Sequence, residues 1–410
     1  MKITEIEKYE VAMEQQDWNT YAIMHFYGSC QAKRTILVVH TDTGLEGLGE
    51  GNVKDEVLER YIGTSPFDWV GDDTSLALGK AMYDLMGKHL GVPAYKLFGQ
   101  RLRSWVPMVC YTVPQSPEAM AEEVRQASAM GYTWLKFHLS PTQNVIEETE
   151  AMQKAAPPGF KIQYDFNGSY GTDHALSIIM ELGRFPIAGV IEDPLKQDDL
   201  DAYQALRNKS PLPILLHGAS YGHTQELLAG AVDGYVLGHS TIGEQMQKAQ
   251  LLAAFKKPFS IQNSGGAITQ SFLAQMSCTF PTATLSQLTS SWLWKSDVVR
   301  ERFEIVGGLM RVPEGPGLGV TLDRDELERL KALPIPKQPP FIVRSKYAYG
   351  GTLHFIHDPE KNHNGLFYPD LTTVPRMGYA EPVKTDFWDD DGSKEYREMF
   401  ARCQKEPVWE

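Results

Sequence analysis

Eight short apolar runs recur between Val106 and Leu288: VPMVCYT, TWLKFHL, KIQYDFN, AGVIEDP, LPILLHG, DGYVLGH, PFSIQNS and ATLSQL. Longer amphipathic stretches such as PEAMAEEVRQASAMG and DHALSIIMELGRF separate them. Strands that alternate with helices must return in the same direction, so the pattern predicts parallel strands joined by helical crossovers. Eight of them within about 180 residues fit a closed α/β barrel better than an open doubly wound sheet. No glycine-rich dinucleotide fingerprint follows the first run, which counts further against the open sheet.

The flanks read differently. Ile3 to Ala12 and Arg34 to Thr41 carry strand patterns, and the turn DTGLEG and then GLGEG follow. In SLALGKAMYDLMGKHLG, Leu78, Met82, Leu85, Met86 and Leu90 recur at helical spacing until Gly91 and Pro93 stop the helix. The expected division is an α+β block over 1–105, a barrel over 106–310, and a return segment with a long extension over 311–410. PIPKQPP reads as a stiff linker, and Phe341 to Glu410 show no clear period, which predicts an irregular extension packed on the N-terminal block. Asp389, Asp390 and Asp391 read as solvated surface. His354, His357 and His363 look like a metal cluster, but their spacing matches no familiar site, so they read as surface or interface residues.

Charge and cysteine content narrow the function classes. With 39 Lys+Arg against 52 Asp+Glu the formal net charge is −13, which repels nucleic acid and anionic membranes. Cys30, Cys110, Cys278 and Cys403 are far apart and form no CxxC pair, against a disulfide framework or a structural zinc site. The N-terminus lacks the order of a signal peptide, and no apolar run reaches the roughly 18 residues of a membrane span. The expectation is a soluble cytoplasmic protein.

A parallel barrel collects its functional groups at the C-terminal ends of its strands. The second run ends in Lys136-Phe137-His138, the third in Asp165-Phe166-Asn167, the fourth in Glu192-Asp193-Pro194. Residues two apart share a face, so Lys136 and His138, and likewise Asp165 and Asn167, can point together into the mouth. Asp165 and Glu192 on neighbouring strands repel unless a cation lies between them, and hard oxygen ligands suit magnesium. A lysine or histidine on the preceding strand is then placed to take a proton next to a substrate carboxylate. The bland alternative is that the two carboxylates cap the following helices or pair with Lys136.

At these residues the sequence resembles the enolase superfamily, in its mandelate racemase and muconate lactonizing enzyme branch. AMYDLMGKHLGVPAYKLFGQRLR resembles the exit from that family's capping domain, GYTWLKFH its Lys-x-Lys strand, YDFN and VIEDP its first two metal-ligand strands, and GGLMRVPEGPGLGV its closing segment. The resemblance covers about the first 330 residues, and several ordered matches carry it together. It implies a modified TIM barrel, (β/α)7β, with an N-terminal α+β capping domain completed by the C-terminal segment. It also implies magnesium and abstraction of the proton α to a carboxylate. Sites of this kind use a Lys or His base with one or two magnesium ions.

The sequence departs from that pattern at several strand ends. The family's third carboxylate ligand falls near Gly218, where only His217 stands. The second lysine of Lys-x-Lys is His138, and the racemase-type Asp and His fall near Gly238 and near Gln262 or Asn263. If His217 is the third ligand beside Asp165 and Glu192, an imidazole shifts the preference toward manganese, iron or zinc. Strand alternation counts against His217, since the ligand's neighbour should face the other way. His138 is the expected base, with Lys136 its electrostatic partner, or else it only donates a hydrogen bond to Asp165 or Asn167 and never titrates; His239 or Tyr170 is the expected acid. The resemblance implies a mobile loop after the first strand that closes over the substrate; here it holds Trp18, Tyr21, His25 and Tyr27, which either stack on the substrate or are packed core. Asn52, on a second loop, and Asn167 are further expected substrate contacts. The expected activity is a lyase or isomerase on a small carboxylate, an acid-sugar dehydratase first. A racemase, epimerase or cycloisomerase, or a degraded barrel that only binds a carboxylate, are the alternatives, and a homo-oligomer is expected.

Overall fold

A computed structural model describes residues 1–197, 199–218, 224–348, 350–367 and 382–410. Three antiparallel strands, β1 (Ile3–Ala12), β2 (Lys33–Thr41) and β3 (Glu46–Glu50), form the N-terminal sheet in that order. The helix Leu76–Leu90 lies on it, opened by the Ser75 hydroxyl, which accepts from the Leu78 N–H, and closed by left-handed Gly91 at φ 65°. GLGEG lies largely in β3. A Cβ on Gly49 would stand 2.4 Å from the Ala77 carbonyl oxygen, so its glycines bring strand and helix into contact.

All eight runs of the central region are strands: β4 (Trp105–Thr112), β5 (Trp134–His138), β6 (Lys161–Asp165), β7 (Ala188–Glu192), β8 (Ile214–His217), β9 (Gly234–Gly238), β10 (Phe259–Gln262) and β11 (Gln287–Leu288). They pair in parallel in chain order, and β11 pairs back onto β4, which closes the barrel. Val190, Leu215 and Val236 form one small interior cluster. Two residues further along the same strands come Glu192, His217 and Gly238, so strand alternation lifts them on the inner face to the rim. A hairpin, β12 (Ile305–Val306) and β13 (Leu309–Arg311), adds antiparallel to β4. The closing segment then returns to the capping helix, where Asp84 accepts from the N–H groups of Leu48 at 2.9 Å and Leu318 at 2.8 Å.

The extension is more regular than its sequence suggests. β14 (Phe341–Tyr347), β15 (Gly351–His357), β16 (Pro382–Trp388) and β17 (Val408–Trp409) form an antiparallel sheet in the order β16-β14-β15-β17. Ile342 packs with Tyr396, Met399 and Cys403 of the helix Lys394–Cys403, whereas Phe341 and Val343 join the main core. With both faces covered, β14 loses the polar–apolar alternation that would reveal it.

The expected mobile loop is here a helix, Thr20–Tyr27, fastened by the extension. Asp389 lies 3.0 Å from His25 Nε2, Phe387 stacks on the His25 ring, and Glu360 accepts from the Ser29 N–H at 2.9 Å. Asp389 is therefore a structural contact, not merely solvated surface. His354 and His357 are buried in β15 and belong to no metal-binding group among the described residues. No helix of the described residues is long and apolar enough to cross a membrane.

Candidate active site

β5, β6 and β7 bring Lys136, Asp165 and Glu192 side by side, all buried. Lys136 Nζ lies 2.9 Å from Asp165 Oδ2 and 2.8 Å from Glu192 Oε2, and it donates to Gln262 Oε1 at 2.8 Å. The pairing with lysine, the blander of the two sequence expectations, is thus present. Burial alone would lower the lysine's pKa, but Asp165 and Glu192 more than offset it and hold the group charged. Burial raises the Glu192 pKa, yet Lys136 and His217 reverse this and leave it well below the usual range. Gln163, two residues before Asp165 on the same inner face, donates to Glu192 Oε2 at 2.6 Å.

His138 sits beside this group in a fixed tautomer. Asn167 Nδ2 donates to the Leu139 carbonyl at 3.1 Å, which turns Asn167 Oδ1 toward His138 Nδ1 at 2.5 Å. Asp165 Oδ2 is 3.2 Å from the same nitrogen. Two acceptors around Nδ1 require its proton there, so Nε2 keeps a free lone pair. Burial, aided by Lys136, lowers the His138 pKa against the pull of Asp165.

His217 faces inward, contrary to the alternation argument made from the sequence, and its Nδ1 is 3.1 Å from Glu192 Oε1. Burial alone would lower its pKa, but Glu192 raises it. The exposed His239 ring stacks on His217 at 5.9 Å, and its desolvated inner side with the nearby cations Lys136 and Lys80 lowers its pKa. At neutral pH His239 is therefore an uncharged imidazole. Tyr170 packs against Phe166 at 5.2 Å. Four non-glycine residues have positive φ among those described, and Asn167, Asp193 and His239 follow barrel strands β6, β7 and β9. Such strain gathers where side chains must be aimed.

Of the expected substrate contacts, Tyr27 and Asn167 reach the mouth, Tyr27 through Tyr111, whose ring stands 6.3 Å from His138. Asn52 lines a neighbouring cleft and accepts from Thr35 Oγ1 at 3.0 Å. Tyr21 instead packs against His25 and Phe387, and Trp18 against Trp292. The sequence reading missed Phe367, whose ring lies 4.9 Å from His138 and 5.5 Å from Tyr27. The loops after β5 and β6 anchor it, since Ser140 and Ser169 hydroxyls donate to the Leu366 and Phe367 carbonyls. Nothing in the tail's pattern signals that contact. Gln163 was also missed, and Asp193 was noted only as a strand-end residue without a role. Alternation back from Asp165 would have found the former.

Gly238 explains the absent sixth-strand side chain: a Cβ there would stand 1.9 Å from the Gln262 carbonyl oxygen. Asp165, Glu192 and His217 each offer one ligand atom, all within 4.8 Å of one another. Two carboxylates against one ammonium leave excess negative charge, and burial with repulsion from Asp165 and Glu192 pushes the Asp193 pKa up. This donor set fits a divalent cation, which would compete with Lys136 for the same oxygens.

Comparison with known proteins agrees with this fold. The family model described as enolase C-terminal domain-like matches residues 119–326. D-gluconate dehydratase of Thermoproteus tenax is 27% identical over 296 residues, 66% of this chain and 59% of that protein. The chain thus spans less than two thirds of that relative. D-xylonate dehydratase of Haloferax volcanii is 27% identical over 345 residues, covering 71% of this chain and 83% of its own. The crystal structure of N-succinyl Arg/Lys racemase from Bacillus cereus superposes with a TM-score of 0.69 at 23% identity, over 81% of this chain and 99% of that one. With its closed barrel, its capping sheet and its acidic pair at consecutive strand ends, this chain belongs to the mandelate racemase and muconate lactonizing enzyme branch of the enolase superfamily.

Proposed function

We propose that this chain is a lyase that removes the proton α to the carboxylate of an acid sugar and then expels a hydroxyl group, an acid-sugar dehydratase. One observation carries the reading: His138, with its proton held on Nδ1 by Asn167 and Asp165, presents a free Nε2 beside the Lys136–Asp165–Glu192 group. His138 Nε2 accepts the α-proton and, now protonated, returns it to the departing β-hydroxyl, which leaves as water, while Lys136 places positive charge where the substrate carboxylate becomes electron-rich. A divalent cation on Asp165, Glu192 and His217, magnesium or, given the imidazole, manganese, would supply further charge for that anion. Phe367, Tyr27 and Tyr111 exclude water on the side of His138. The dehydratases among the relatives support the substrate class. Free cysteines throughout and an acidic surface support a cytoplasmic setting.

A second reading, a barrel that binds a carboxylate without proton chemistry, is favoured by Lys136, which already counters both acids. Incubation with acid sugars in deuterium oxide, with magnesium or manganese, separates the two by NMR. We expect α-proton exchange or dehydration that His138→Ala and Asp165→Asn each reduce by at least about 100-fold, the low end for a positioned base. No exchange with any acid supports the second reading.

A further inference from the structure

Between the capping sheet and the barrel rim lies a cleft of about 900 Å³. That is the size of a small-molecule site, roughly 300–1,000 Å³. Its lining carries four basic side chains, Lys33, Arg34, Lys54 and Lys80, against one carboxylate, Glu50. In a chain of net charge −13 this is a local reversal of sign.

Three side-chain atoms of the lining are buried and have no hydrogen-bond partner: Arg34 Nε, Ser240 Oγ and Asn263 Nδ2. All three can donate. The Asn263 orientation is fixed, because Oδ1 accepts from the His239 N–H at 3.0 Å and the amide NH₂ is left over. Arg34 reaches Gln31 Oε1 at 3.0 Å and the Lys33 carbonyl at 3.3 Å, and its guanidinium lies 4.1 Å from the Trp294 ring centre. No ion pair to Arg34 occurs among the described residues. The nearby acid, Glu50, is taken up by the N–H groups of Gly266 and Thr269 and by the Thr269 hydroxyl. Lys80 is held by the Glu50 carbonyl and Thr269 Oγ1. The Arg34 guanidinium is half-buried, but its Nε–H is fully buried with no acceptor and no carboxylate faces it, an arrangement that is costly unless an anion completes it.

The cleft joins the catalytic group through His239, which lines it and stacks on His217. We propose that Arg34 and Asn263 bind a second carboxylate of the substrate, so that the chain selects dicarboxylic over monocarboxylic acid sugars. This rests on the dehydratase reading for the first carboxylate.

The test uses the full chain with magnesium, matched pairs such as galactarate and galactonate, and the unreactive pair glutarate and butyrate. Calorimetric binding is measured beside turnover. We expect dicarboxylates to bind at least about tenfold more tightly, the worth of one charge-assisted contact. Arg34→Gln should cost the dicarboxylate about tenfold more than its monocarboxylate partner, and Asn263→Ala should act in the same direction if Arg34→Gln lowers folding yield. Equal binding of the two classes, or equal losses on substitution, overturns the proposal. Selective dicarboxylate binding without α-proton exchange would refute the dehydratase reading alone. Exchange on monocarboxylates with no preference would refute the second-carboxylate site alone.

Discussion

Replacing Lys136 by methionine would leave two buried carboxylates facing each other with no ammonium between them. Breaking such an arrangement typically costs about 3–5 kcal/mol. A divalent cation can take the same oxygens, so Lys136→Met should melt well below the parent without metal. Magnesium or manganese should recover more of that loss than they add to the parent. Calorimetric melts with and without metal check both expectations, and equal metal effects would contradict the competition for shared oxygens. Lys136, His138, Asp165 and Glu192 were legible because a period of two and their place at strand ends suffice to aim them. The orientation of His217 was not, because the notional register slipped by one residue. Its true register shows only when Leu215 is seen packed with Val190 and Val236 inside the barrel. The tautomer of His138 depends on how Asn167 is turned, which no spacing rule reports.

At the level of elements, the absence of a side chain at the end of β9 is a backbone matter. Gly238→Ala would drive a methyl group into the Gln262 carbonyl on the adjoining strand. Overpacking of this kind costs typically about 1–3 kcal/mol. Gly351→Ala, where the added carbon comes no closer than 3.6 Å to Trp409, should stay within about 0.5 kcal/mol of the parent. Urea unfolding of both variants measures the contrast. The barrel strands were readable because each is a short apolar run bounded by turns and helices. β14 and β15 were not, since helix Lys394–Cys403 covers one face of their sheet and the main core the other. Their burial then follows no simple period.

On the scale of the whole molecule, the extension meets both the capping segment and the catalytic mouth. Phe367 is buried against Phe26, Tyr27 and His138. Phe367→Ala should cost about 3–5 kcal/mol, as deletions of buried aromatic rings do. It should also slow α-proton exchange at temperatures where the variant is fully folded. Met399→Ala, in the extension's own small core, should lower stability and leave exchange per folded molecule unchanged. Denaturation and deuterium exchange on the same samples distinguish the two effects.

The lysine bridge between Asp165 and Glu192 also bears on how the protein comes into being. With an internal counter-charge already in place, the nascent chain can complete its barrel before any ion reaches it. Were a divalent cation to bind there, it would do so late and reversibly, after the barrel had formed.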